Sequence, residues 1–160
     1  MANTYTQIYI HVVFSVQGRQ HLISNDHKEE LYKYITGIVR NKQQKLIAIG
    51  GMSDHLHILV GMKPSTALSD LVRDIKNNSS AFVNEKRWIN KKFRWQEGFG
   101  AFSYSHSQIE KVVGYIRDQE KHHARKSFGE EYVLMLKKFN VGYVDKYLFE
   151  RNRAEEETSG

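Results

Sequence analysis

Residues 8–16 put the tightest limit on the fold, because Ile8, Ile10, Val12, Phe14 and Val16 recur at every second position. Alternate residues of an extended chain point to the same face, so this segment is a strand with one apolar side. Such a side has to be buried against amphipathic partners, and the chain supplies several. Ser24 to Gln44 opens with Ser24-Asn25-Asp26 and sets Leu31, Tyr34, Ile35 and Ile38 at helical spacing, which predicts a capped helix. Leu46–Met52 and His55–Met62 read as two strands joined through a hairpin-like turn at Gly50-Gly51-Met52-Ser53-Asp54. After Pro64-Ser65, the positions of Leu68, Leu71, Val72, Ile75 and Phe82 predict a second long helix.

Phe93 to Tyr104 reads as an aromatic strand bent at Gly98-Phe99-Gly100. Ser107 and Glu110 have the spacing of a capping box, which would start a third helix running to about His123, with a short helix from Glu130 to Lys138 after it. The order β-α-β-β-α-β-α, without strict alternation, predicts an α+β fold in which helices pack on a mostly antiparallel sheet. One domain over residues 1–150 is expected, with the polar stretch 151–160 as a flexible tail.

Composition narrows the function classes. The 160 residues include no cysteine, which excludes disulfides, thiolate nucleophiles and cysteine-zinc sites. No apolar run approaches the roughly 20 residues that span a bilayer, and Met1 to Gln7 has no basic-then-apolar leader pattern, so a cytoplasmic protein without membrane contact is expected. A net charge of +6 and a pI of about 9.4 favour phosphate-rich partners.

His55-Leu56-His57-Ile58-Leu59-Val60 is the segment richest in chemistry. On a strand, His55 and His57 share a face about 7 Å apart, while Leu56, Ile58 and Val60 face the core. Two imidazoles so placed can grip one divalent cation if a neighbour adds a third ligand, with Asp54 as an auxiliary ligand or a partner behind an imidazole. The same pattern also fits two exposed histidines on a half-buried strand. In the third helix, Ile109, Val112, Val113 and Ile116 form the apolar stripe, and Tyr115, Gln119 and His122 lie together on another face. Gln119 could bring a carbonyl oxygen to the cation, with Tyr115 one turn away. Spacing alone leaves Tyr104 and Tyr132 as other candidate tyrosines.

His55-Leu56-His57 followed by Tyr115-x-x-x-Gln119 resembles the HUH single-tyrosine transposases of the insertion-sequence 200/605 group. The likeness extends over residues 5–140, through the Val-Val-Phe-Ser strand, the Met-Ser-Asp-His-Leu-His entry, Trp95-Gln96 and Gly100-Ala101-Phe102-Ser103. The resemblance implies a ferredoxin-like (RRM-like) HUH domain. It also implies Mg²⁺ or Mn²⁺ held by His55, His57 and Gln119, with Tyr115 as nucleophile. The reaction implied is cleavage and rejoining of single-stranded DNA through a 5′-phosphotyrosine, by a homodimer acting on hairpin-containing DNA. Helix phase favours His122 as an auxiliary ligand or acid–base group, although a solvent-facing His122-His123 pair is the plainer reading.

DNA contact is expected along the basic, aromatic run from Lys86 to Trp95, through Arg87, Trp88, Lys91, Lys92 and Arg94, with Arg73 and Lys76 extending it. Phe93 and Trp95 could equally be strand core. Gly114 breaks helix propensity beside Tyr115, and close approach of a DNA backbone or helix packing would each account for it. Two other functions fit parts of the pattern: a domesticated HUH endonuclease acting on repeated palindromic sequences, and a non-catalytic RRM-like nucleic-acid-binding module. The second is disfavoured by the lack of a clear RNA-binding aromatic signature.

Overall fold

The two faces of a single sheet organise the chain. The computed structural model describes residues 3–123 and 126–144, with the side chain of His122 outside that set; the expected 151–160 tail also lies outside it. The strands are β1 (Tyr9–Ser15), β2 (Lys45–Met52), β3 (His55–Gly61) and β4 (Gly100–Tyr104). They form one sheet in the order β2-β3-β1-β4, with every neighbouring pair antiparallel. The helices are α1 (Lys28–Asn41), α2 (Leu68–Lys86), α3 (Ile109–Arg117), α4 (Gln119–His123) and α5 (Phe128–Lys138). This is the α+β, ferredoxin-like sheet-and-helix arrangement that the sequence implies. No helix among the described residues is long and apolar enough to cross a membrane.

Register fixes which residues go where. Val12 lies opposite Ile58 and Phe14 opposite Leu56, so the apolar rows of β1 and β3 merge on one face. Leu31, Ile35 and Val39 of α1 and Leu71, Val72 and Ile75 of α2 cover that face to make the main core. The other face of the sheet carries α3 and α5, in two smaller clusters around Leu59 with Ile116 and around Phe102 with Met135.

One cross-strand row on this second face explains how the helices seat. Gly50, His57, Val13 and Gly100 follow one another across β2, β3, β1 and β4. A Cβ on Gly50 would lie 2.3 Å from the carbonyl oxygen of Ile116 in α3, and one on Gly100 would lie 2.7 Å from the Tyr132 ring of α5. Real Cβ contacts are never that short. The two glycines therefore let both helices close onto the sheet on either side of His57.

Several local expectations are corrected. Helix α1 starts at Lys28, and Ser24 bonds His27 without capping the helix. Gly50, Gly51 and Met52 belong to β2, which confines the turn to Ser53 and Asp54. Phe93 to Gly98 forms no strand beyond a single Val16–Trp95 bridge, and Gly98 adopts φ 82°. The Ser107–Glu110 capping box is absent, because residues 106–108 form a 3₁₀ turn and Ser107 pairs with Ser105. The third helix ends at Arg117, and Asp118 (φ −95°, ψ 25°) separates it from α4.

Candidate active site

His55 and His57 leave β3 on the face opposite the main core, and both are fully buried beneath α3, α4 and α5. Their Nε2 atoms meet oxygens from two different helices. The His55 Nε2 is 3.0 Å from Gln119 Oε1 of α4, and the His57 Nε2 is 2.8 Å from Glu131 Oε1 of α5. His123, one turn beyond Gln119, brings its Nε2 to 3.0 Å from Gln119 Oε1 and 3.1 Å from Glu131 Oε2. Tyr115 on α3 donates its hydroxyl hydrogen to Glu131 Oε2. One carboxylate thus touches an imidazole of the sheet through one oxygen, and the tyrosine and His123 through the other.

The ligand-capable atoms of His55, His57, His123 and Glu131 all lie within 4.8 Å of one another. Adjacent ligands of one six-coordinate cation, with bonds of about 2.1 Å, stand about 3 Å apart. The separations of 2.8 to 3.1 Å across His57–Glu131, His55–Gln119 and His123–Glu131 match that spacing. The donor set of three imidazoles, a carboxylate and an amide oxygen fits a divalent cation, and its nitrogen content suits a first-row transition ion better than Mg²⁺.

Burial and hydrogen bonding set the charges. Burial works to raise the Glu131 carboxyl, but hydrogen bonds from His123 and His57 hold it well below the usual carboxylate range. The Tyr115 phenol is pushed far up, first by burial and then by its bond to the Glu131 carboxylate. Burial lowers His57. For His123 burial is outweighed by the Glu131 contact, and its pKa rises. Asp54 sits behind the cluster, with Oδ1 2.6 Å from the Nδ1 of His55, where it can orient that ring.

Beside Tyr115 opens a cavity of about 1010 Å³, lined by Tyr115, Glu131 and the four lysines Lys111, Lys121, Lys126 and Lys138. The lysines are exposed.

The structure brings together His55, His57, Tyr115 and Gln119 from the sequence reading. The residue of the histidine pair that joins them is His123 and not a solvent-facing one; the His122 side chain lies outside the described residues. Glu131 and the buried His11 (Nε2 2.8 Å from His57 Nδ1) escaped the sequence reading. Glu131 looked like an ordinary acidic residue in the first turns of a helix. His11 could have been noticed as a polar residue on the strand face that β3 pairing aligns with His57.

The basic run stays away from this site, since it follows α2, which packs on the opposite face. Arg87, Lys91, Lys92 and Arg94 are exposed there. Trp88 is half-buried and stacks on His27 at 4.3 Å. Lys76 turns inward to donate to the carbonyls of Gln96 and Gly98, and Arg73 pairs with Asp70 and Asp74. Phe93 and Trp95 are core residues.

The solved structures include two similar folds. A Deinococcus radiodurans R1 protein assigned as a transposase aligns with a TM-score of 0.58 and 19% identity, over 74% of this chain and 95% of its own. A REP-associated tyrosine transposase bound to a REP hairpin aligns with a TM-score of 0.59 and 15% identity, over 95% of this chain and 97% of its own. No curated protein matches the chain. The sequence profile of the IS200-like transposases matches residues 4–119, which include His55, His57, Tyr115 and Gln119, and the chain therefore belongs to the IS200-like transposase family.

Proposed function

We propose that the protein cleaves and rejoins single-stranded DNA through a covalent 5′-phosphotyrosine on Tyr115, in a reaction that depends on a divalent cation. The observation that carries this reading is the shared carboxylate: Glu131 accepts a hydrogen bond from Tyr115 and faces His57 with its other oxygen. Tyr115 and the His/Glu cluster thus meet within one chain.

His55, His57, His123, Glu131 and Gln119 would hold the cation. Bound there, it would neutralise charge developing on the transferred phosphoryl group and orient it for in-line attack. The Tyr115 oxygen bonds to phosphorus while the bond from phosphorus to the 3′-oxygen of the preceding nucleotide breaks, and that oxygen takes up a proton from solvent water. Glu131 orients the phenol for this attack. Glu131, which accepts the hydrogen bond of the phenol, would take its proton as the new P–O bond forms. The linkage energy is conserved in the phosphotyrosine, so rejoining needs no nucleotide cofactor.

The cavity beside Tyr115 supports single-stranded DNA as substrate, since its four lysines suit phosphates and unpaired bases can enter a confined site. A hairpin-containing DNA is the natural first probe, given the fold shared with a hairpin-bound relative. Arg87, Trp88, Lys91, Lys92 and Arg94 then form a separate contact for flanking DNA on the other face. Strand exchange needs two tyrosines and therefore a homodimer. The outer edge of β4, which pairs with no strand among the described residues, offers a place for the second copy. The same fold likeness favours, as a second reading, the same chemistry confined to repeated palindromic sequences without mobility.

The decisive experiment is denaturing electrophoresis of end-labelled single-stranded hairpin DNA with the protein, with and without Mn²⁺, beside Tyr115→Phe and His57→Ala. A Mn²⁺-dependent adduct stable to heat and SDS, attached on the 5′ side of the break and absent from both variants, is expected. Binding without an adduct on any substrate would leave only a nucleic-acid-binding module. An adduct that persists in Tyr115→Phe would move the nucleophile to another tyrosine.

A further inference from the structure

His57 has two ring nitrogens, and each has a committed neighbour. Nε2 points into the cluster, 2.8 Å from Glu131. Nδ1 points along the sheet to the Nε2 of His11, also 2.8 Å away, with the two rings stacked at 5.0 Å. Both rings are fully buried. His11 reaches this position because β1 pairs with β3, placing it opposite Leu59 and one row from His57 on the same face.

A neutral imidazole carries one ring hydrogen, so a contact between two of them fixes both tautomers together. A nitrogen that binds a cation must present a lone pair. With His57 Nε2 so used, its hydrogen sits on Nδ1 and is donated to His11 Nε2. The His11 hydrogen then sits on its own Nδ1. That atom is buried and has no hydrogen-bond partner among the described residues. It marks a residue kept for what its other nitrogen does, since an apolar side chain would fill the same space without an unsatisfied polar atom. The arrangement parallels His55, whose Nδ1 is held by the Asp54 carboxylate. Each sheet histidine therefore has a partner behind it, one anionic and one neutral.

We propose that His11 is a positioning residue: its Nε2 accepts the Nδ1 hydrogen of His57 and holds the His57 Nε2 lone pair toward the cation. The proposal rests on the reading of His57 as a cation ligand. It requires that His11 touch neither cation nor DNA, and that its effect appear in cation affinity before it appears in turnover.

Two measurements test it. The first is Mn²⁺ affinity, read by electron paramagnetic resonance of free Mn²⁺, for the wild type, His11→Phe, His11→Gln and His57→Ala. His11→Phe is expected to weaken binding about 10- to 100-fold. His11→Gln, whose amide oxygen can accept the same hydrogen, is expected to restore most of the affinity. The second uses unmutated protein and so survives any folding failure of the variants. Long-range ¹H–¹⁵N correlation of the Zn²⁺-loaded protein should show both His57 and His11 protonated on Nδ1. If His57→Ala leaves Mn²⁺ binding intact, the underlying cation reading fails. If His57→Ala abolishes binding while His11→Phe matches wild type, or if loaded His11 carries its hydrogen on Nε2, the positioning role is overturned and the cation reading stands.

Discussion

Glu131 sits among two imidazoles and a phenol, and the titrations around it oppose one another. His11 is held neutral first by burial and then by its neighbour His57, with its pKa lowered from 6.5 to about 3. A group depressed in this way costs stability as the pH falls from 6.5 toward 3, because the unfolded chain takes up a proton that the fold refuses. His123 is raised above 6.5 by Glu131, so its contribution is complete below 6.5 and is lost as the pH rises through its folded value. Cation-free protein should therefore lose thermal stability on either side of neutrality. Melts in chelator across the pH range check this, and a Tm that climbs steadily through the alkaline limb would show that Glu131 does not hold a proton on His123. A second residue-scale prediction concerns Gly114. A Cβ there meets nothing within 4 Å, so the protein itself does not require glycine. Gly114→Ala should stabilise α3 by up to about 1 kcal/mol in chemical denaturation. If DNA passes close to this position, adduct formation will fall even as stability rises.

Elements decide which side chains meet, and here the sequence was legible in part. The rows of β1 and β3 and the H-x-H face followed from period-two alternation, which reports face directly. The break at Asp118 was not legible. A continuous helix puts His122 in phase with Tyr115, whereas the break at Asp118 resets the phase, so that Gln119 and His123 of α4 both reach the cluster. Glu131 was invisible for another reason: it arrives on a separate helix, through a fold-level contact that no local spacing encodes. Gly50 read as part of a turn but serves as a seat for α3. Gly50→Ala would drive a methyl into the Ile116 carbonyl, a backbone atom that cannot rotate away. A stability loss of about 1–3 kcal/mol is expected from such overpacking. Because the displaced helix carries Tyr115 while His55 and His57 stay on β3, adduct formation should fall more than Mn²⁺ affinity. Equal losses in both would mean that the sheet itself had shifted.

Across the whole molecule, the two faces of the sheet divide the labour. The α1–α2 face holds the larger apolar core and no member of the His/Glu cluster. The opposite face has two smaller cores and a polar site between them, where α4 and α5 meet the sheet through His55, His57, Gln119, His123 and Glu131. Charges buried together there oppose packing unless something compensates them, and a divalent cation would satisfy the carboxylate and the imidazoles at once. Cation binding should then tie α4 and α5 to β3 while leaving α1 and α2 nearly unchanged. At a free Mn²⁺ concentration 100 times its Kd, the linkage is about 2.7 kcal/mol, which slows exchange through openings that release the ion roughly 100-fold. Hydrogen–deuterium exchange followed by mass spectrometry should show that slowing in peptides spanning 109–123 and 128–138. Peptides of α2 should change only where they exchange by global unfolding. Glu131→Gln should abolish the protection of α5 first, since Glu131 is that helix's member of the cluster. Uniform protection of both faces would instead mean that the protein opens as one cooperative unit, with no separate mobility at the site.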